Sequence, residues 1–326
     1  MLCLTIAGKS NQSVGKIEMC RALLYLGEPV LLDDLLYQPD SSLAKQSYMP
    51  RMLRMLNLAG FGMLVWDGSS VASDVPYRYG STNLPVFDRN LKSLASKIKA
   101  NCFLGHVRGV ALDTAATIND QNIHPFWFPG AKLSLAHNGD LHRFDEMRDD
   151  LRLHVRPEIA QHISGSTDSE WIYAILLSQL DDPGEYSSTE EIRRAIDKTL
   201  AIIGNVRDAR GISVASSANL FISDGRRIFA VRFCFDFGCY ATNHPGRTHE
   251  ANLTYLSLWY TSGREYGYYD GEWQMTGGAA AADSIIVASE PLTSDVTRWL
   301  EVPEYSILHT ERDNGRTVTN IHYIDI

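Results

Sequence analysis

The 326-residue chain has no Cys-x-x-Cys pair, no His-Glu-x-x-His, no long block of lysine and arginine, and no run approaching twenty apolar residues. Each absence excludes something. Its five cysteines (Cys3, Cys20, Cys102, Cys234, Cys239) are odd in number and scattered, so neither a disulfide framework nor a thiolate zinc site is expected. A reducing cytoplasm fits that pattern. A formal net charge of -9 without a basic cluster argues against nucleic acid or an anionic membrane surface as the main partner. A membrane-spanning helix needs roughly 20 consecutive apolar residues, and the short apolar patch in MLCLTIAGKSNQSVGKIE has its lysines on the wrong side for a signal peptide. A small-molecule or protein partner is the expectation.

What is present is a series of apolar runs with polar ends. CRALLYLG reads as a buried strand and PVLLDDLLY as a short amphipathic helix or turn ending at Pro39. GFGMLVWDG, NCFLGHVRGV and KLSLAHNGDL read as further strands, with a helix over NLKSLASKIKA. DSEWIYAILLSQL predicts a helix with Asp168 near its start. TEEIRRAIDKTLAIIG predicts a second, opened by a Thr-x-x-Glu-like cap and ended by Gly204. ANLFISDGRRIFAVRFC then folds back about Asp224-Gly225, followed by SIIVASEPL and YSILHTE. Strands, then paired helices, then strands predict an α+β fold with helices packed on two large, mainly antiparallel sheets. No repeat or linker divides residues 20–326, which read as one domain.

Five stretches concentrate reactive residue types: MCR at 19–21, GHVRG at 105–109, NIHPF at 122–126, AHNGDL at 136–141 and GSTDSE at 165–170. Amide cleavage needs a nucleophile, a base, an oxyanion site and a grip on the substrate. Cys20 supplies a thiol. Its α-amino group, if free, would titrate near roughly 7.7 to 8.0 and could serve as the base. Asn138 and Gly139 offer a side-chain amide and an unobstructed backbone N–H for a developing oxyanion. Arg108 offers a planar fork for a carboxylate, and Asp168 an anion for an ammonium group, so together they suit the two ends of an amino acid. The bland alternatives are a core cysteine, a strand arginine in an ion pair and a helix N-terminal aspartate. His106, His124 and His137, with Thr167, read as hydrogen-bonding support beside the site. No metal and no cofactor are expected.

In this order the five stretches resemble the class II glutamine amidotransferases, which are N-terminal-nucleophile hydrolases. VASEPLT and WLEVPEYSIL near the end resemble the branch holding the ergothioneine-pathway γ-glutamyl hydrolases and the amidotransferase-like subunit of the cytosolic glutathione-degradation complex. The resemblance implies a four-layer αββα sandwich, a Cys20 thioester, an Asn138–Gly139 oxyanion hole, and Arg108 and Asp168 as binding residues for glutamine or a γ-glutamyl compound. It also implies a separate peptidase or ammonia-acceptor subunit, or a stand-alone hydrolase. Ala59 precedes Gly60-Phe61-Gly62 where many relatives carry an acid, and Ala111 and Leu112 stand where glucosamine-synthesising relatives have a Thr and a His. Carboxylate recognition is therefore expected to differ, with neighbouring Asp113 and Thr114 no obvious replacement. Residues 1–19 read as an extension, with Met19 the expected initiator or residues 1–19 removed to free the Cys20 amine. The rival expectation is a catalytically silent binding or scaffold subunit, which follows if Cys20 stays acylated by the preceding chain.

Overall fold

The computed structural model describes residues 20–52, 56–110, 118–240, 244–246, 248–249, 252, 257–279, 282–313 and 315–326. The predicted 1–19 extension, and the departure at Ala111 to Thr114, lie outside the described residues.

The chain begins as β1 (Arg21–Leu31), α1 (Leu32–Leu36), α2 (Leu43–Gln46), β2 (Phe61–Trp66), β3 (Tyr77–Ser81), α3 (Arg89–Ala95), β4 (Lys99–Val107) and β5 (Ser134–Gly139). A helical block follows: α4 (Phe144–Arg152), α5 (Pro157–Ala160), α6 (Asp168–Ser178) and α7 (Thr189–Ala209). Strands then resume with β6 (Ser216–Ser223), β7 (Arg227–Arg232), β8 (Cys234–Phe235), β9 (Trp259–Gly263), β10 (Tyr266–Tyr269) and β11 (Glu272–Met275). The last are β12 (Ser284–Ala288), β13 (Leu300–Glu301), β14 (Ser306–Asp313) and β15 (Arg316–Tyr323).

One sheet has the order β13-β9-β12-β1-β4-β2-β3, and the other runs β15-β14-β7-β6-β5 with β8 also pairing β6. Every named pairing in them is antiparallel. Residue alternation along β1 shows how the layers arise. Ala22, Leu24 and Leu26 join Leu104, Phe221, Ala230 and Leu308 in a core between the two sheets. Leu23 and Tyr25 point the other way, into a core with Leu35, Leu43 and Leu91 from α1, α2 and α3. A third core lies on the far face of the second sheet, where Leu220, Ile222 and Val231 meet α4, α6 and α7 through Met147, Ile175 and Leu200. Helices, sheet, sheet, helices is the expected αββα sandwich. Because both faces of β1, β2 and β4 are covered, their sequences run apolar without alternation.

Expectations on three helices are corrected. Gly204 does not end α7, which continues to Ala209 because Ile196, Leu200, Ile203 and Val206 keep an apolar stripe against the sheet. The helix stops at Arg210, followed by Gly211 with φ of 63°, the left-handed residue that commonly closes a helix. Its start is capped by Ser188, whose Oγ accepts the Glu191 N–H, one residue before the expected threonine. The predicted helix over NLKSLASKIKA stops at Ala95, and Lys99-Ala100 open β4, while Pro29 to Leu31 belong to β1.

Candidate active site

The ends of β1, β4 and β5 meet at Cys20, which precedes β1 and is buried. Its Sγ lies 3.4 Å from the Gly109 N–H, which points toward it, and 3.8 Å from the Gly109 carbonyl. The Cys20 N–H donates to Asn138 Oδ1 at 3.2 Å. Asn138 turns its amide nitrogen the other way, donating to Ser289 Oγ at 2.9 Å, and that hydroxyl also accepts the Ala22 N–H. An amide nitrogen has two hydrogens, so this bond leaves one for another acceptor.

Gly139 is required here by space. A Cβ at this position would sit 2.1 Å from the Ser217 carbonyl oxygen and 2.6 Å from His137 Nε2. Leu135 and His137 turn their N–H groups to the free edge of the second sheet, toward the Phe126 carbonyl and His124 Nδ1. Strand alternation places the Gly139 N–H on that same edge.

Asp168 is the first residue of α6, one beyond the cap. Thr167 is the cap, its Oγ1 accepting the Glu170 N–H at 3.3 Å. The Asp168 carboxylate accepts the Leu141 N–H at 2.7 Å and the Ser169 N–H at 2.7 Å, tying the helix start to the segment after Asn138-Gly139. Arg108 is buried at the end of β4 next to Gly109, and its backbone pairs with Ala59 and Gly60. The structure thus joins Cys20, Gly109 and Asn138 by direct contact, links Asp168 to the same segment, and sets Arg108 one residue from the thiol's neighbour.

The three histidines form the supporting layer. His106 donates from Nε2 to the His137 carbonyl at 3.2 Å, and its ring lies 4.1 Å from that of His124. His137 donates from Nε2 to the Ser217 carbonyl and meets Ser169 Oγ with Nδ1, each at 2.9 Å. Ser169 Oγ is in turn 3.0 Å from Asp168 Oδ1, so hydrogen bonds run from Asp168 to β6. Burial, aided by neighbouring cationic groups, pushes His106 down to about 3 and His124 well below the ordinary histidine range. Among the described residues no group of three or more His, Cys, Asp or Glu is arranged to hold a metal ion, and no helix is long and apolar enough to cross a membrane.

A pH dependence follows. The native protein binds fewer protons at His106 and His124 than the unfolded chain, whose histidines titrate near roughly 6.5. Stability from these groups is therefore fully present above that value and lost as pH falls through their depressed folded-state values, about 3 for His106, at about 1.4 kcal/mol per pH unit for each proton. We expect the urea midpoint to drop steeply below pH 6.5 and the drop to be shallower in His106→Gln. Parallel profiles for the two proteins would refute the assignment.

Several contributors escaped the sequence reading. Thr167-Asp168-Ser169-Glu170 is a readable capping box, although the buried Glu170 carboxylate reaches past the cap to the N–H groups of Ser164 and Gly165. Asn122 holds the same loop through Ser166. Ser217 carried no local signal. Ser289 and Glu290, within the VASEPLT stretch, stand directly behind Cys20 and Asn138.

The family described as class-II glutamine amidotransferases matches residues 81–245. The probable glutamine amidotransferase DUG3 of Saccharomyces cerevisiae is 30% identical over 309 residues, covering 89% of this chain and 81% of that protein. The γ-glutamyl-hercynylcysteine sulfoxide hydrolase of Mycobacterium tuberculosis is 31% identical over 131 residues, 38% of this chain and 51% of the hydrolase. In fold, a class-II domain protein from Silicibacter pomeroyi superposes with a TM-score of 0.58 at 19% identity, over 93% of this chain and 100% of that one. Glutamine phosphoribosylpyrophosphate amidotransferase of B. subtilis gives 0.52 at 17% identity, over 94% and 50%. With extensive identity to one curated relative, a family match over half its length and the shared αββα sandwich, the chain belongs to the class II glutamine amidotransferases.

Proposed function

We propose that the protein is a cysteine-dependent amidohydrolase that cleaves the γ-amide of a γ-glutamyl compound or of glutamine through a thioester on Cys20. The observation that carries this reading is the contact of Cys20 with Asn138: the backbone nitrogen of the one residue and the amide of the other are hydrogen-bonded at the buried junction of β1 and β5. In that place the α-amino group of Cys20, once released from Met19, is the base that takes the thiol proton. The thiolate attacks the γ-carbonyl, and the resulting oxyanion is stabilised by the Asn138 amide and the Gly139 N–H. The amine leaves with the proton held by the Cys20 amine, and water then attacks the thioester through a second oxyanion of the same placement.

Arg108 is assigned the substrate α-carboxylate and Asp168 its α-amino group, with His106, His124, His137 and Thr167 supporting the strand ends that carry the site. The names of two relatives, a probable glutamine amidotransferase and a γ-glutamyl hydrolase, favour a γ-glutamyl donor. The released amine or ammonia is either set free by a stand-alone hydrolase or passed on in a complex with a separate peptidase or ammonia-acceptor subunit.

The test is to incubate protein that begins at Cys20 with glutamine and with γ-glutamyl peptides, quench in acid and measure intact mass. We expect a γ-glutamyl adduct that maps to Cys20, with release of ammonia or amine. A silent binding subunit would show neither, and retention of residues 1–19 in an active native preparation would overturn the role of the amine.

A further inference from the structure

Behind Cys20 lies a buried ion pair that the reaction as described does not use. Arg21 and Glu290 are each 1% exposed, with Arg21 Nε 3.5 Å from Glu290 Oε2. Arg21 Nη1 donates to the Cys20 carbonyl at 2.9 Å. Glu290 has further duties: Oε1 accepts from Ser41 Oγ at 3.0 Å and from the Arg51 N–H at 2.7 Å, while Oε2 accepts from the Met52 N–H at 3.2 Å. Gln46 Nε2 braces both ends of this network, donating to the Ser41 and Glu290 carbonyls.

A fully buried ion pair is a poor device for stability alone, because desolvating two charges offsets most of their attraction and apolar side chains of similar volume commonly do as well. The placement of this one is informative. The preceding serine, Ser289, receives the N–H of Ala22 and the amide of Asn138 on one hydroxyl. The Ser289-Glu290 dipeptide therefore touches the Ala22 main chain, the Arg21 side chain, the candidate oxyanion donor and the segment around Arg51, all at once. With its N–H on Asn138 and its carbonyl on Arg21, Cys20 is held at both ends of its own main chain.

We infer that Arg21 and Glu290 are positioning residues, a buried pair that fixes the backbone of Cys20 and registers the Ser41–Met52 segment against it, so that the thiol attacks from one prealigned conformer. Misplacing a reacting group by about 1 Å can cost on the order of a hundredfold in rate. The inference rests on Cys20 being the nucleophile.

Kinetics of the protein beginning at Cys20 and carrying Arg21→Lys, Glu290→Gln and the double substitution test it. Lysine keeps the charge but lacks the fork that serves the Cys20 carbonyl and Glu290 together, and glutamine replaces one of the two acceptor oxygens with a donor facing an N–H. Each single variant is expected to lower kcat by about ten- to a hundredfold with KM within about twofold, and the double variant to be no worse than the weaker single, since the pair acts as one unit. Glu290→Asp, which restores charge and acceptors, is expected to recover part of kcat. Undiminished kcat in folded single variants, multiplicative losses in the double, or activity falling only in proportion to the folded fraction would each overturn the inference. Turnover surviving Cys20→Ala would instead refute the nucleophile assignment beneath it, so the two failures are distinguishable.

Discussion

Replacing Cys20 with alanine is expected to abolish release of ammonia or amine from every γ-glutamyl substrate while leaving the protein folded. The sulfur is buried and lies 3.4 and 3.8 Å from the main chain of Gly109. Its loss deletes one atom from a site whose other anchors, the Cys20 N–H on Asn138 and the carbonyl on Arg21, are main-chain and survive. A stability change of about 1 kcal/mol, typical of a single substitution, would leave a protein of ordinary stability folded. Chemistry is affected far more, because Cys102 cannot stand in: it is buried between the sheets, and burial pushes its thiol up to about 12. The check is amine release beside a thermal unfolding curve. Wild-type turnover by the folded variant would end the nucleophile assignment.

Asn138→Ala is expected to lower kcat by about a hundred- to a thousandfold, the usual cost of one lost oxyanion donor. Two roles converge on this side chain, since Oδ1 accepts from the Cys20 nitrogen and Nδ2 carries the donor hydrogens. Asn138→Asp separates them. Aspartate keeps an acceptor for the Cys20 nitrogen but has no donor and places a negative charge where the oxyanion would form. If donation is the main role, the aspartate variant is as inactive as the alanine one or worse. If holding the Cys20 nitrogen were sufficient, aspartate would restore most of the rate, and the oxyanion role would be withdrawn. Steady-state kcat for the two variants decides between these outcomes.

The candidate chemistry was legible because it sits at the ends of strongly apolar strands. Cys20, Arg108 and Asn138-Gly139 each follow, precede or close a buried run, and such runs announce themselves by composition alone. Less legible were the elements whose identity depends on neighbours. β13 is a two-residue strand, and β15 is an exposed edge whose residues do not alternate cleanly. Helix α4, FDEMRDDLR, is dominated by charge and buries only Met147 and Leu151. Gly204 shows local propensity overruled, as a residue that weakens helices is carried through by the stripe packed on either side of it.

By itself the sequence determined the layered class of the fold and singled out a set of candidate reactive residues, since hydrophobic periodicity and side-chain chemistry are local properties. Which of those residues meet was decided by tertiary structure. Ser289 reaches Ala22 from 267 positions away along the chain because β12 pairs beside β1 while β4 pairs on its other edge. Pairing between distant strands depends on how whole sheets close their hydrogen-bond ladders and share a core. No short stretch encodes it, and so the buried Arg21–Glu290 pair behind Cys20 became visible only in the folded chain.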